Sequence, residues 1–579
     1  MMNTPCNIYL RLWPKLNLKI YRRCQQWILL NNQVSPTLHK KCVLARFYSH
    51  AVNGNYTHDS TIFSLSSGHG KCGVAVVRVS GPATWSVLQN IAQFKEKPAP
   101  RLALVRKLVN PNTRIVIDKG LVLYFQGPHS FTGEDSAEFQ VHGGPAVVAA
   151  LLGALHGVPG CRQALPGEFT KRAFQNAKLD LTEVEGLGDL IHAETEVQRR
   201  QALRQMEGDL GHLYQQWRTD IIKSVADLEA FIDFSEDQDI EDEVVQQVHA
   251  RVGKLNDEIA RHLDDKRQGE RLREGVHVAI IGEPNVGKSS LLNAICQRPA
   301  AIVNDVAGTT RDVIETHVSL GGYPVLLSDT AGLRETEDKV EKEGVRRALQ
   351  RAQQADVKVL VFDISRLQGQ REPLRNMYQF IQHEIETLGL NDFNKEEHPD
   401  NVFDVRTKSK KNERVSYSSS FLKDYIIVFN KLDIVEEINI QNIIGQSKER
   451  SVQTNTVEAD EQHGNGVPIV TEGDLTTYCI SCTSGKGMDA LVTALTRKVE
   501  QMCGNPLSGH PSLTQARHRA HLTACVAHLD HFRSGRPGGD IVLQSESLRR
   551  ALREIGKLTG RITTEDILDV IFHDFCIGK

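Results

Sequence analysis

The chain has 579 residues, of which 40% are hydrophobic and 24% charged, and its formal net charge at pH 7 is −3. This is ordinary globular usage, so a collagen, a coiled-coil rod and a wholly disordered chain are excluded. The small net charge gives no global argument for nucleic-acid binding, and 11 cysteines are too sparse for a disulfide scaffold. At about 150 residues per domain, the length predicts several domains. No apolar run is long enough to predict a membrane span.

Residues 1–58 contain Lys and Arg but neither Asp nor Glu; the first carboxylate is Asp59. An acid-free, Arg-containing leader is typical of an organellar transit peptide, and the sequence RFYS at 46–49 resembles a mitochondrial processing site. A disordered basic tail is the alternative. We expect residues 1–58 to be a mitochondrial transit peptide and the protein to lie in the matrix.

The remaining chain divides by pattern. Residues 59–176 contain short apolar runs bounded by Gly and Pro, such as 73–79 and 120–125, which predict strands of an α+β domain. Residues 177–273 and 501–579 have helical spacing, and two helical stretches flanking a different segment predict one helical bundle interrupted by an insertion. In the first stretch, the apolar stripe expected on an amphipathic helix consists of Leu203, Met206, Leu210, Leu213, Trp217 and Ile221.

The inserted segment, residues 274–500, alternates apolar strands with helical stretches, which predicts an α/β domain with a mostly parallel sheet. Two polar stretches within it, 384–420 and 436–472, are expected to be poorly ordered surface insertions, because neither buries enough apolar surface to offset chain entropy.

A phosphate-binding loop follows the first strand of this domain. The strand 276–281 is followed by 282–289, GEPNVGKS, which fits the G-x-x-x-x-G-K-[ST] pattern in its strand-to-helix context. The loop N–H groups and the helix dipole favour phosphate. Lys288 is expected to reach the β- and γ-phosphates, and the Ser289 hydroxyl is expected to coordinate Mg²⁺.

Three further elements follow in the order found in GTPases. Within 308–312, GTTRD, Thr310 is the hydroxyl expected to bind Mg²⁺, and Asp329 and Gly332 of D-x-x-G are expected to support the metal and sense the γ-phosphate. In 430–433, NKLD, the Asp433 carboxylate can accept hydrogen bonds from guanine N1 and N2, which adenine cannot supply. The predicted nucleotide contacts are Asn285, Val286, Gly287, Lys288, Ser289, Ser290, Thr309, Thr310, Asp329, Thr330, Ala331, Gly332, Asn430, Lys431, Asp433 and Ser481.

The usual water-orienting glutamine is missing, because the position after D-x-x-G is Leu333. No arginine finger is evident, so charge neutralisation must come from elsewhere. Asn285 is placed to help bind a monovalent cation beside the phosphates; alternatively it is a turn residue.

Taken together, these residues resemble the MnmE (TrmE) family of tRNA-modification GTPases, over nearly all of 59–579. Motifs outside the nucleotide domain carry the resemblance: SFTGED at 130–135, VHGGP at 141–145, PGEFTKRAF at 166–174, KLDL at 178–181 and FCIGK at 575–579. The resemblance implies three parts: an N-terminal α+β domain (59–176) that dimerises and binds folate, a discontinuous helical bundle (177–273 and 501–579), and an inserted α/β P-loop GTPase domain (274–500).

The resemblance also implies a function. The family modifies carbon 5 of the wobble uridine of certain tRNAs with a flavin-dependent partner, MnmG (GidA), using the one-carbon unit of a tetrahydrofolate, 5,10-methylene- or 5-formyltetrahydrofolate. In animal mitochondria the product is of the taurinomethyl type. Carried over, the folate contacts are Arg78, Glu138, Lys178 and Lys579, and Cys576 either assists methylene transfer as a thiolate or only packs.

Further implied roles concern hydrolysis. The family's catalytic glutamate falls on Glu341, which would orient the attacking water alongside the phosphate-binding Lys288; without the resemblance it reads as a solvated helical residue. Mg²⁺ would be bound by Ser289 and Thr310. The residues implied for K⁺ are Asn285, Asn304, Val306 and Thr309. Asn304 departs from the usual Thr, which weakens that contact.

Two points remain open at this stage. Cys479 and Cys482 form a lone C-x-x-C that we interpret as structural, against metal or redox use. A regulatory RNA-binding GTPase of ribosome assembly shares the nucleotide motifs and is the alternative function. That class carries an RNA-binding module such as a KH domain after the GTPase, whereas this chain continues into helices.

Overall fold

The structure of the chain is a computed structural model. It describes residues 60–68, 70–234, 243–298, 301–304, 315–329, 354–367, 381, 425–434, 469–472, 475–505, 511–535, 540–561, 571–572, 575 and 578. The predicted transit peptide, the first polar insertion and most of the second lie outside these residues. The contacts divide the chain into two compact units, 1–173 with 576–579, and 174–575.

The first unit is built on a six-stranded sheet. In chain order its elements are β1 (Thr61–Leu65), β2 (Cys72–Ser80), α1 (Thr84–Ile91), β3 (Leu104–Val109), β4 (Val116–Phe125), β5 (Ser136–Gly143), α2 (Pro145–His156) and β6 (Cys161–Gln163). The strand order is β3-β4-β5-β2-β1-β6, antiparallel except for the parallel pair β1 and β6. The two predicted strands are confirmed as parts of β2 and β4. Side chains of α1 and α2 share one buried core with the sheet.

The second unit begins with helices, after α3 (Glu168–Gln175), which spans the boundary between the units. The helices are α4 (Leu181–His192), α5 (Glu196–Met206), α6 (Asp209–Phe234), α7 (Glu243–Leu263) and α8 (Gln268–Glu274), and later in the chain α11 (Ala516–Ser534) and α12 (Ile541–Leu558). One hydrophobic core contains side chains of α6, α7, α11 and α12, so helices from both sides of the inserted segment pack together.

The predicted apolar stripe from Leu203 to Ile221 is not one helix, and that expectation was wrong. α5 ends at Met206 and α6 begins at Asp209, with Gly208 at φ +95° between them. A positive φ cannot continue a right-handed helix. Trp217 and Ile221 of α6 are buried in the core of the bundle.

The nucleotide domain contains an eight-stranded sheet. Its elements are β7 (Val276–Ile281), α9 (Lys288–Cys296), β8 (Ala301–Asn304), β9 (Glu315–Leu320), β10 (Tyr323–Asp329), β11 (Val357–Asp363), β12 (Tyr425–Asn430), β13 (Ile469–Glu472), β14 (Leu475–Cys479) and α10 (Met488–Cys503). The strand order is β13-β14-β12-β11-β7-β10-β9-β8. Strands β14, β12, β11, β7 and β10 are parallel, as predicted, and their carboxyl ends meet at one edge.

The second polar insertion is partly structured, contrary to expectation. Residues 469–472 form β13, which pairs antiparallel with β14 at the edge of the sheet. In the part of the chain that the structure describes, no helix is long and apolar enough to cross a membrane.

Candidate functional site

The phosphate-binding loop lies at the carboxyl edge of the sheet, between β7 and α9. Asn285 and Gly287 have φ of +65° and +100°, which turns the loop backbone inward at the start of the helix. Lys288 is 6% exposed, and its Nζ donates to the carbonyl oxygens of Gly282 and Glu283 at 2.9 and 2.8 Å. The lysine charge is therefore held within the loop that the phosphates would occupy.

The segment predicted to recognise the base, 430–433, is held against this loop by Asn430, which is 3% exposed. Its Nδ2 donates to the Val286 carbonyl oxygen at 2.9 Å, and its Oδ1 accepts from the Cys482 N–H at 3.3 Å. A Cβ at Gly287 would collide with the Asn430 side chain. Asn430 thus joins the phosphate-binding loop, the N-K-x-D segment and the loop after β14. Its side-chain amide holds these three segments in position relative to one another.

The carboxylate predicted to select guanine, that of Asp433, is also held in place. Asp433 is exposed, and its Oδ1 accepts from the Ser481 hydroxyl at 2.6 Å. Ser481 is fully buried, and its Oγ accepts from the Ser484 N–H at 3.1 Å. The structure therefore brings the two predicted base-binding residues together and orients the Asp433 carboxylate before any base binds.

Asp363, which the sequence analysis missed, pairs with the lysine of the same segment. It ends β11 opposite Asn430 of β12, and its Oδ2 accepts from Lys431 Nζ at 2.7 Å. Burial alone would raise the pKa of Asp363, but hydrogen bonds from Lys431 and Ser365 outweigh burial and lower it. Its position at the end of the strand beside β12 was the signal that could have identified it.

The remaining predicted phosphate and metal residues are described only in part. Ser289 and Ser290 are exposed in the first turn of α9. Asp329 ends β10 beside Ile280 of β7, and Asn304 ends β8, although their side chains lie outside the description. The predicted residues outside the described part of the chain are Val306, Thr309, Thr310, Thr330, Ala331, Gly332, Glu341, Cys576 and Lys579.

The C-x-x-C pair lies at the end of β14, at Cys479, and in the loop that follows, at Cys482. Cys479 is buried at the end of β14, which raises the pKa of its thiol to about 12. Both cysteines are free thiols, and among the described residues no group of three or more His, Cys, Asp or Glu side chains could bind a metal ion.

Two of the predicted folate residues meet in the first unit. Arg78 of β2 and Glu138 of β5 are register partners, and the Arg78 Nη2 lies 3.0 Å from Glu138 Oε1. The guanidinium lies 5.3 and 5.8 Å from the ring centres of Phe131 and Phe169. Lys178 is exposed and belongs to the second unit.

A buried ionic network lies beside this pair, and no sequence motif predicted a role for it. Arg172, 5% exposed, lies 3.0 Å from Glu134 Oε2 and 3.1 Å from Glu168 Oε1. Arg162 also pairs with Glu168. Burial acts to raise the pKa of Glu168, but the two arginines and the Leu165 N–H lower it. The network thus ties the SFTGED and PGEFTKRAF motifs together.

The loop, the carboxyl-edge motifs and the oriented Asp433 define a P-loop protein of the GTPase class. The family descriptions "GTP-binding protein TrmE N-terminus" and "MnmE helical domain" match residues 61–178 and 181–576. The chain belongs to the MnmE (TrmE) family of tRNA-modification GTPases.

Relatives match over most of both chains. The chain is 48% identical to "5-taurinomethyluridine-[tRNA] synthase subunit GTPB3, mitochondrial" of Danio rerio, covering 90% of this chain and 93% of that protein. It is 43% identical to the protein of the same description from Homo sapiens, with the same coverage. It is 42% identical to "tRNA modification GTPase MnmE" of Parvibaculum lavamentivorans, covering 90% of this chain and 100% of that protein. These matches favour tRNA modification over ribosome assembly.

The contact between Asp363 and Lys431 predicts that Asp363 affects nucleotide affinity. Asp363→Asn keeps the size of the side chain and removes the charge that holds Lys431, so the lysine stem is less fixed beside the base. We expect GDP and GTP to bind about fivefold more weakly, because both partners are only partly buried. Fluorescent GDP titration measures this.

The control for Asp363→Asn is Asp356→Asn. Asp356 directly precedes β11, at the opposite end of the strand from Asp363, and its carboxylate pairs with Arg271 at 2.9 Å. This change should lower stability without altering GDP affinity. Equal weakening of GDP binding by the two substitutions would contradict a specific role for Asp363.

Proposed function

We propose that this chain is the GTP-hydrolysing component of the mitochondrial complex that modifies carbon 5 of the wobble uridine of tRNA, with a taurinomethyl-type product. The observation that carries the proposal is the 48% identity over 90% of the chain to a protein described as a mitochondrial 5-taurinomethyluridine synthase subunit. The same relatives support a mitochondrial location, for which we propose the matrix. The proposed partners are a second copy of the chain, a flavin-dependent MnmG (GidA)-type subunit and mitochondrial tRNA.

The residues of the loop suit GTP with Mg²⁺ and K⁺. Lys288 supplies a buried positive charge, Ser289 a hydroxyl for Mg²⁺ with Thr310, and Asn285 an exposed amide oxygen for K⁺. Asn304, Val306 and Thr309 would complete the K⁺ site. Bound cations neutralise the negative charge that accumulates on the phosphates during hydrolysis.

The residues around Arg78 suit a reduced folate. The Glu138 carboxylate can accept from the donor edge of a pterin, and Arg78 can donate to a carboxylate or carbonyl oxygen. Phe131 is 37% exposed and offers a ring face to a flat heterocycle. We propose 5,10-methylene- or 5-formyltetrahydrofolate as the ligand, with Lys178 and Lys579 as further contacts and Cys576 either packing or assisting transfer.

Glu341 is the residue proposed to orient the attacking water, in place of the glutamine that Leu333 replaces. Glu341→Ala should lower the rate of GTP hydrolysis by about 10²-fold or more, the usual contribution of a positioned acid or base, and leave GTP affinity unchanged. Single-turnover hydrolysis in K⁺ buffer measures this, with Glu343→Ala as the neighbouring control. Unchanged hydrolysis in Glu341→Ala would remove that role.

The proposed function itself is tested in cells. Mass spectrometry of wobble uridines in mitochondrial tRNA should find the modified base with this protein and lose it without it, and expression of the wild-type chain should restore it. Wobble uridines that are unchanged after removal of the protein would overturn the proposal.

A further inference from the structure

The hairpin of β9 and β10 connects the two segments that carry the predicted phosphate sensors. β9 begins at Glu315, after the segment with Thr309 and Thr310, and β10 ends at Asp329, the first residue of D-x-x-G. The strands pair continuously, from Tyr323 with Leu320 to Ser328 with Glu315. Because the ladder is unbroken, the hairpin is one continuous element from its open end to its turn.

The turn of this hairpin, Gly321–Gly322, contacts the helical bundle. The Gly322 carbonyl oxygen accepts from the N–H of Val197 in α5 at 3.4 Å. The Val197 side chain packs against the core of the nucleotide domain, and a Cβ at Gly322 would lie 3.4 Å from Val197 Cγ2. A side chain of the bundle therefore forms part of the packing of the nucleotide domain, directly at the turn.

The hydrogen bond at Val197 has a role in the helix itself. Val197 is the second residue of α5, and the first N–H groups of a helix have no partner within it. Thr195 and Gln198 form a capping box, in which Thr195 Oγ1 accepts from the Gln198 N–H at 3.3 Å. Gly322 supplies the acceptor for the Val197 N–H. A shift of the turn would leave that N–H without its acceptor and loosen the start of α5.

Two further contacts join the start of α5 to β9 of the nucleotide domain and to α8. Glu194, just before the helix, lies 3.6 Å from His317 of β9. The Gln198 Nε2 donates at 3.1 Å to the carbonyl oxygen of Arg273, in the last turn of α8. Arg273 in turn pairs with Asp189 of α4 at 2.7 Å. The start of α5 thus contacts the hairpin, α8 and, through Arg273, α4.

Two cavities adjoin the first turn of α5 and leave space for a second arrangement of this helix. Their volumes are about 260 and 160 Å³, and Gln198 and Arg273 line both. In the first cavity, Gln201 is 9% exposed, and within the described part of the chain neither of its amide atoms has a hydrogen-bond partner. Buried amides are normally paired, so an alternative position of α5 could satisfy this one.

We propose that Val197 and Gly322 are positioning residues that couple the nucleotide state of the GTPase domain to the helical bundle. The hairpin transmits the state of the phosphate sensors, and the start of α5 is the element that responds. The inference deepens the proposed function and rests on it, because it takes 308–312 and 329–332 as segments that sense GTP. The coupling must be reciprocal, so a change at Val197 alters the relative affinity for the two nucleotides.

The matched control is Val542. It is also the second residue of a helix in the bundle, α12, but its N–H donates to the Asp540 carboxylate of its own cap and its side chain is 60% exposed. Val197→Asp inserts a charge into the contact with Gly322, whereas Val542→Asp inserts the same charge into solvent. Val197→Ala is the milder second variant, used if circular dichroism finds Val197→Asp unfolded.

The test uses the full chain with GDP or with a non-hydrolysable GTP analogue. We expect hydrogen exchange of the 195–201 amides to differ about tenfold between the two states, and Val197→Asp to abolish that difference and change the ratio of the two affinities by about fivefold or more. Val542→Asp should change neither quantity. Equal exchange in both states, or an unchanged affinity ratio in a folded Val197 variant, would overturn the coupling.

The two proposals can fail separately. Exchange and affinity measurements need only this chain and nucleotides, so they are independent of whether tRNA is the substrate. Loss of the proposed tRNA function would appear in the wobble-uridine analysis while the exchange difference persisted.

Discussion

Asp433→Asn is expected to lower affinity for GTP by about 10²- to 10³-fold, because a site that recognises a base through hydrogen bonds strongly rejects a mismatched donor. The carboxylate that accepts from guanine N1 and N2 becomes an amide, whose NH₂ group meets guanine donors. The same amide can donate to the carbonyl at C2 of xanthine, so xanthosine triphosphate should bind more tightly to the variant than to the wild type. Competition titration with fluorescent GDP measures both effects.

The control for this change is Asp489→Asn, an exposed carboxylate in the first turn of α10 that pairs with Arg298. Guanine affinity should be unchanged there. If Asp433→Asn kept wild-type affinity for GTP, or bound xanthosine and guanosine triphosphates equally weakly, the assignment of base selection to Asp433 would be wrong.

Glu185→Ala is expected to lower the free energy of unfolding of the helical bundle by about 3–5 kcal/mol, the cost of removing one partner of a buried ion pair. Glu185 of α4 accepts from His518 Nε2 at 2.7 Å and from Arg517 Nη2 at 2.9 Å. His518 is fully buried, and both partners in α11 would lose the Glu185 acceptor at the junction of the two helical stretches. Hydrogen exchange of the α11 amides measures the loss.

The matched control is Glu196→Ala, which also removes a glutamate paired with two arginines, Arg199 and Arg200, but on the exposed surface of α5. Exposed pairs contribute little, so the bundle should be nearly unaffected. Equal protection of the α11 amides in wild type and Glu185→Ala would contradict the structural role of this pair.

Low pH is expected to weaken the contact of Glu185 with His518 and Arg517. Burial acts to raise the pKa of Glu185, but His518 and Arg517 outweigh it and lower the pKa below its ordinary value of 4.5. A depressed folded-state pKa contributes stability that is complete above the unfolded value and is lost as the pH falls through the folded value. The contribution of Glu185 to bundle stability is therefore complete above about pH 4.5 and is lost progressively as the pH falls below that value, through the lower pKa of the folded state.

The parts of the fold that follow from local pattern were predictable from the sequence. The strand 276–281 is a continuous apolar run ending at a glycine-rich loop, and it is β7 without change of boundary. Apolar strands of the same kind end at Asp329 and Asn430. Parallel strands place these carboxyl ends at one edge, which brings the motifs that follow them to one site.

The contacts between loops were not predictable in the same way. Asn430 was expected to contact nucleotide, but its amide bonds Val286 and Cys482, an arrangement that depends on three loops meeting in space. The Arg172–Glu134 pair joins positions 38 residues apart, and neither side chain has a local pattern that reveals its partner. The break at Gly208 was missed because apolar spacing continues across it.

The most direct test of the account is equilibrium binding of both ligands to one purified preparation of the chain. Calorimetric titration should detect GDP binding, at least about 10³-fold weaker binding of ADP, and binding of 5-formyltetrahydrofolate that is lost in Arg78→Ala. Comparable affinity for ADP and GDP, or no detectable binding of the reduced folate to wild type, would contradict the account.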